Sequence, residues 1–188
     1  MVYTEKERNE LLRTARESIQ RLLEGGSAEA PSVKSRALQE PRGAFVTLRM
    51  GGELRGCIGY IEPNLPLAQT VQEVAQKAAF EDPRFSPLSS EELSVVEIEI
   101  SVLSLVERVT DIQEIEIGTH GLVIESGALR GLLLPHVATN YRWDREQFLR
   151  QTAIKAGLPP EAWRKQDVAI YKFSTETFTD HVHTGHSP

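Results

Sequence analysis

Apolar and polar positions recur along this chain in two rhythms, and the change from one to the other marks out the elements. Between Thr4 and Glu24, the residues Leu11, Leu12, Ala15, Ile19, Leu22 and Leu23 return near every 3.6 positions, which predicts an amphipathic helix. Thr4 with Glu7 three residues on reads as a capping box, and Gly25-Gly26 as the stop. Ser27 to Arg42 carries two prolines and no period, so it is expected to be a connecting loop. Gly43 to Met50 and Glu53 to Tyr60 read as strands around a Gly51-Gly52 hairpin turn. Pro66 to Glu81 reads as a helix with Leu67, Val71, Val74, Ala75 and Ala78 on its buried stripe. The prolines of Asp82-Pro83-Arg84-Phe85-Ser86-Pro87 demand a loop. Ser89 with Glu92 suggests a second capping box. From Ser94 to Leu105, Val96, Ile98, Ile100 and Val102 alternate with Glu97, Glu99 and Ser101, the pattern of a strand buried on one face.

The second half repeats this order. Leu122 to Glu125 and Ala128 to Leu134 form a hairpin over Ser126-Gly127, Arg142 to Ala156 a helix stopped by Gly157, and Val168 to Phe173 a closing strand. Gly52-Glu53-Leu54-Arg55-Gly56 matches Gly127-Ala128-Leu129-Arg130-Gly131 at an offset of 75, and Ala75-Gln76-Lys77-Ala78 matches Ala153-Ile154-Lys155-Ala156 at 78. Val96 to Ser104 sits where Val168 to Glu176 does, at 72. Three matches in one order point to duplication. The expectation is a single α+β domain over residues 1–188. It is two-lobed, with internally duplicated strand-hairpin/helix/strand units and two sheets packed around helices, leaving a groove between the halves. Repeat one spans about 43–106 and repeat two about 120–176, with an N-terminal helix over 1–24 and a tail over 179–188.

Composition narrows the function. The net charge is −6 over 188 residues, which weighs against nucleic acid. No apolar run reaches a membrane span's length, and Cys57, the only cysteine, excludes an intrachain disulfide. These features fit a cytoplasmic protein. Strand parity puts Leu54, Gly56, Ile58 and Tyr60 on one face and Arg55, Cys57 and Gly59 on the other. A thiol two residues from an arginine is a candidate nucleophile or ligand contact, and an arginine nearby favours thiolate. A lone cysteine is also commonly a small buried hydrophobe, and both readings stand. Gly56 and Gly59 leave room for a ligand or another backbone. The second copy has Leu132 at the position of Cys57 and Leu134 at that of Gly59, so only the first copy carries the reactive atom. His120, in a Thr-His-Gly turn, and His136, after Pro135 at a strand-to-helix junction, are candidate bases to a thiol. His181, His183 and His186 belong to the tail and are expected to be disordered, not a metal site. No zinc, P-loop or dinucleotide fingerprint is present, so no cofactor is assigned.

Leu54-Arg55-Gly56-Cys57-Ile58-Gly59 closely resembles the signature hexapeptide of the AMMECR-type domain family, whose bacterial and archaeal members are also called AmmeMemoRadiSam system protein A. Asp82-Pro83-Arg84-Phe85, Ile98 to Ser104, His120-Gly121-Leu122 and Gly131 to Pro135 resemble further family blocks in family order. Trp143-Asp144, Phe148-Leu149 and Lys155 to Leu158 continue the likeness, which runs from about Thr4 to Phe178. His136 and Asn140 depart from the pattern, which usually has glutamine and an acidic residue there. The resemblance implies a two-lobed α+β fold with the cysteine motif near the cleft. It also implies genomic association with a Memo-like protein and a radical-SAM protein as partners. It implies no settled activity. The expected function is binding of a small molecule or modified peptide in the inter-lobe cleft. Cys57 supplies a thiolate, Arg55 stabilises it, Asp82 and Arg84 line the rim, and His120 or His136 accepts the proton. The alternative is a non-enzymatic adaptor for the Memo-like protein, and a weaker one is nucleic-acid binding.

Overall fold

Gly51 and Gly52 both take positive φ, 58° and 84°, which a two-residue primed turn requires. They join β1 (Ala44–Met50) to β2 (Glu53–Tyr60) in the computed structural model, which describes residues 2–27 and 29–180. The chain resolves into two units: residues to Leu103 with those from Glu176 onward, and Ser104–Thr175.

In the first unit β3 (Glu97–Leu103) pairs antiparallel with β1 on the side away from β2. Val46, Leu48, Ile98 and Ile100 from these strands are fully buried with Leu11 and Ile19 of α1 (Glu5–Leu23) and Val71 and Val74 of α3 (Leu67–Phe80). Thr4 caps α1 as its sequence suggests. Its hydroxyl accepts from the Glu7 N–H at 3.3 Å, and the Glu7 carboxylate accepts from the Thr4 N–H at 2.8 Å. The expected loop over Ser27 to Arg42 contains a short helix, α2 (Arg36–Gln39), because Leu38 is fully buried in the same core. α4 (Ser90–Leu93) is capped reciprocally by Ser89 and Glu92.

Two ion pairs fasten α1 along one line. Arg8 meets Glu176 at 3.0 Å, and Arg16 meets Asp180 at 2.6 Å. Eight residues of helix rise about 12 Å and four of extended chain about 13 Å, so the two spacings coincide.

The second unit has the same order of parts. β5 (His120–Ser126) and β6 (Leu129–Leu133) form a hairpin, α5 (Pro135–Asn140) and α6 (Arg145–Lys155) follow, and β7 (Ala169–Thr179) pairs with β5. A two-residue strand, β4 (Glu107–Arg108), also pairs with β7. Phe148, Leu149, Ala153, Leu122 and Ile124 are fully buried in this unit's own core. The helix expected from Arg142 starts three residues later, as α6, and α5 is a further short helix ahead of it. α5 ends with Arg142 in the left-handed region at φ 54°, and α6 starts afresh from an Asp144–Gln147 capping box. The strand order is β2-β1-β3-β7-β5-β6, a path of six, and β4, off this path on β7, makes the seventh strand of one sheet where two were expected. Among the described residues no helix is long and apolar enough to cross a membrane.

One glycine in each unit fixes the fit of helix to hairpin. A Cβ on Gly56 would lie 2.1 Å from the Ala78 carbonyl oxygen, and one on Gly131 would lie 2.3 Å from the Ala156 nitrogen. The matched glycines therefore meet the matched helix ends, and both exist so that the backbones can touch.

Candidate functional site

The site begins with an irregularity in β2. Counting back from the Gly51-Gly52 turn, Met50 faces Glu53 and Arg49 faces Leu54, but Leu48 faces Gly56 and Thr47 faces Cys57. Arg55 is the extra residue, a β-bulge. The second hairpin has no such slip, since Glu125 faces Arg130 and Ile124 faces Gly131.

The bulge takes Arg55 out of the cross-strand register. Its guanidinium donates to Glu92 through Nε and Nη2 at 2.8 and 2.9 Å, and reaches the Pro87 carbonyl at 3.4 Å. Glu92 thus serves twice, as the capping glutamate of α4 and as the anchor of Arg55. The Arg55 donors, and then the Ser89 N–H, hold its carboxyl below the usual range. Arg55 is buried, and its Nη1 has no hydrogen-bond partner among the described residues.

Beyond the bulge the predicted parity holds. Gly56 faces α3, and Ile58 and Tyr60 pack on the first core. Cys57 and Gly59 face the other way. The room at Gly59 is taken by the Phe45 ring, 2.3 Å from where a Cβ would stand. The Cys57 side is half-buried, and its Sγ accepts a hydrogen bond from the Thr47 hydroxyl at 3.3 Å. Thr47 itself is buried.

β2 ends the strand order, so the main chain of Cys57 points away from β1 towards no further strand. Asp82 and Arg84 occupy that position. The Cys57 N–H donates to Asp82 Oδ2 at 2.9 Å, and Arg84 Nη2 donates to the Cys57 carbonyl at 3.4 Å. Arg84 also grips Asp82 through Nε at 2.9 Å, Nη2 at 2.6 Å and its own N–H at 3.1 Å. These Arg84 donors, aided by the Cys57 N–H, hold the Asp82 carboxyl well below the usual carboxylate range even though burial opposes it. Arg84's own pKa is raised, first by Asp82 and then by the proximity of Cys57. The guanidinium that reaches Cys57, at its carbonyl, is that of Arg84, whose side chain is 53% exposed. Phe85 lies under both arginines, 5.4 Å from Arg84 and 5.9 Å from Arg55.

Cys57, Arg55, Gly56, Gly59, Asp82 and Arg84 thus all belong to the first unit, and Thr47, Phe85 and Glu92 join them without having been singled out. His120 and His136 belong to the second unit. His120 opens β5, and its Nδ1 accepts from the Glu116 N–H at 3.0 Å. His136 is exposed in the first turn of α5. His181, His183 and His186 lie outside the described residues. Among the described residues no group of three His, Cys, Asp or Glu is placed to hold a metal ion. A cavity of about 580 Å³ lies between α1 and α4, with Arg16, Glu24 and Asp180 as its charged lining, and the Arg16 donors are spent on Asp180 and the carbonyls of Leu93 and Val96.

A model of the AMMECR1 family matches residues 12–178. A protein of Methanothermobacter thermautotrophicus is 42% identical over 175 residues, covering 89% of this chain and 91% of that one. One of Pyrococcus furiosus is 40% identical over 186 residues, covering 93% and 89%. The crystal structure of an uncharacterised protein from Pyrococcus horikoshii superposes with a TM-score of 0.84 at 38% identity, covering 91% of this chain and 90% of that one.

Proposed function

This chain belongs to the AMMECR1 family, and from that footing we propose that it binds a small molecule or modified peptide at the Leu54–Gly59 segment, with Cys57 as the contacting thiol. One observation carries this reading. The half-buried sulfur accepts a hydrogen bond from the Thr47 hydroxyl, and the Arg84 guanidinium reaches the carbonyl of the same residue. Asp82 and Arg84 hold the Cys57 main chain from outside, so the thiol is presented from a backbone that cannot drift. That is the preorganisation a binding site needs. Arg84 would stabilise the thiolate, and the Thr47 hydroxyl would donate to it. Arg55, committed to Glu92, shapes the bulge that brings Thr47 opposite Cys57.

The test is the rate of Cys57 alkylation by iodoacetamide against pH. An ionisation midpoint clearly below the ~8.5 of a free thiol, shifting upward in Arg84→Ala, supports the reading. A slow reaction with its midpoint at the free-thiol value, unaltered in Arg84→Ala, rejects thiol chemistry at this site.

A further inference from the structure

Register sets three polar side chains in one row across the first unit's strands. The N–H and carbonyl of Cys57 turn outward to Asp82 and Arg84. Cys57 and Thr47 are therefore a non-hydrogen-bonded pair, the closer kind, with Cα atoms about 4.5 Å apart. The main chain of Thr47 turns the other way, to β3, where Thr47 faces Glu99 in the wider pair of about 5.5 Å. Thiol, hydroxyl and carboxylate thus follow one another on the face away from the core, whose side is taken by Val46, Leu48, Ile98 and Ile100.

The duplicated frame supplies an internal comparison. In the second unit Leu132 faces Val123, and Val123 faces Tyr171. Leu132 is the counterpart of Cys57 at the offset of 75, and Tyr171 that of Glu99 at 72. The same row reads Leu-Val-Tyr in one copy and Cys-Thr-Glu in the other. The scaffold does not need this thiol, hydroxyl and carboxylate, and the first copy has all three together.

Glu99 has no use within the fold. It is half-buried, and its carboxylate has no hydrogen bond or ion pair among the described residues. The neighbouring row shows the contrast, since Ser101 and Thr177 spend their hydroxyls on each other at 2.8 Å. Arg49, on the same face, stands opposite Glu97 and not Glu99. A partly buried charge without a counter-ion is one that a bound group can satisfy. On the reading that a ligand meets the Cys57 thiol, we infer that Glu99 is that ligand's second contact, and that the ligand is a small organic cation presenting an ammonium or guanidinium nitrogen to it. Thr47 stands between the two, its hydroxyl on the sulfur. The row spans about 10 Å between the Cα atoms of Cys57 and Glu99, so one small molecule can touch both side chains.

The experiment uses the full chain and two thiol reagents of like size, methanethiosulfonates carrying a trimethylammonium-ethyl or a sulfonato-ethyl arm. With either, the Cys57 thiolate attacks the sulfenyl sulfur, a mixed disulfide forms and methanesulfinate leaves, so the charge of the arm is the variable. Cys57 is the only cysteine, so the rate reads this site alone. The ratio of cationic to anionic rate should exceed that of 2-mercaptoethanol, and the cationic rate should saturate with reagent concentration. In Glu99→Gln the ratio should fall about 10-fold, because one charge about 8 Å away acts on the two arms in opposite senses, and saturation should be lost. Taking the ratio cancels any change in the thiolate fraction. Glu99→Asp keeps the charge and should stay within about 2-fold of wild type. A ratio equal in wild type and Glu99→Gln overturns this inference and leaves the thiol reading standing. A Cys57 that neither reagent modifies overturns both. If Glu99→Gln fails to fold, a wild-type ratio no higher than that of 2-mercaptoethanol overturns the inference by itself.

Discussion

Replacing Asp82 by alanine takes away the acceptor of two main-chain N–H groups, those of Cys57 and Arg84, in a side chain that is 1% exposed. Hydrogen bonds to a charged group are worth ~1.5–3 kcal/mol each. The Arg84 pair adds little to that, because its exposed guanidinium returns to water. The expected loss is about 3–5 kcal/mol, a large share of the ~5–15 kcal/mol that holds a typical domain. Urea unfolding followed by circular dichroism reads it directly. Arg84→Ala should cost less, since both N–H donors keep their acceptor.

Acid separates the two variants further. The Asp82 carboxyl is depressed in the folded protein, so its contribution is complete above the unfolded value of ~3.9 and is lost as pH falls towards the native one. Asp82→Asn cannot titrate and should flatten the acid limb of the stability curve. Arg84→Ala should move that limb to higher pH, because the first cause of the depression is gone. A loss under ~1 kcal/mol for Asp82→Ala, or an acid limb identical in wild type and Asp82→Asn, would refute the idea that this carboxylate closes the edge of β2.

Gly56→Ala and Gly131→Ala should each cost about 3 kcal/mol in chemical denaturation, because the added methyl meets helix backbone that cannot yield. Gly51→Ala, with φ 58° but nothing within 4 Å, should cost only about 1 kcal/mol. Arg142→Gly should raise the melting temperature, gaining up to about 1 kcal/mol, since an arginine stands at φ 54° where glycine fits without strain. Asp180→Ala should cost about 2–3 kcal/mol, because this carboxylate holds both Arg16 and the Ile98 N–H.

Much of the fold was legible because its signals are local. The Thr4–Glu7 and Ser89–Glu92 boxes, the Gly51-Gly52 turn and the alternation around Ile98 each act over a few residues, and each is realised. What was not legible is of longer range. α5 is a helix of six residues, too short for a period to show. α2 needed knowledge that Leu38 would find a core. Strand parity separates Gly56 from Gly59 as the close contacts do, but it does not foresee the bulge at Arg55, because one inserted residue is invisible to a rule of twos. Counting without the bulge would set Val46 opposite Cys57, and the hydroxyl that contacts the sulfur would have been missed.

That inserted residue is also what distinguishes the two copies chemically. In the second hairpin the arginine stays in register and pairs across the strands with Glu125 at 2.8 Å. In the first, the same Leu-Arg-Gly run spends one more residue between the turn and the glycine that touches the helix. The glycine contact is kept in both, so it belongs to the scaffold. The bulge turns Arg55 away to Glu92 and sets a threonine against the one cysteine. The Asp82–Arg84 pair then fills the edge of β2 at Cys57, where the other copy has Pro160 in place of the aspartate. A single duplicated frame has in this way been given two different edges. One is closed from outside and presents a thiol on its open face, and the other keeps its arginine in register and carries no thiol.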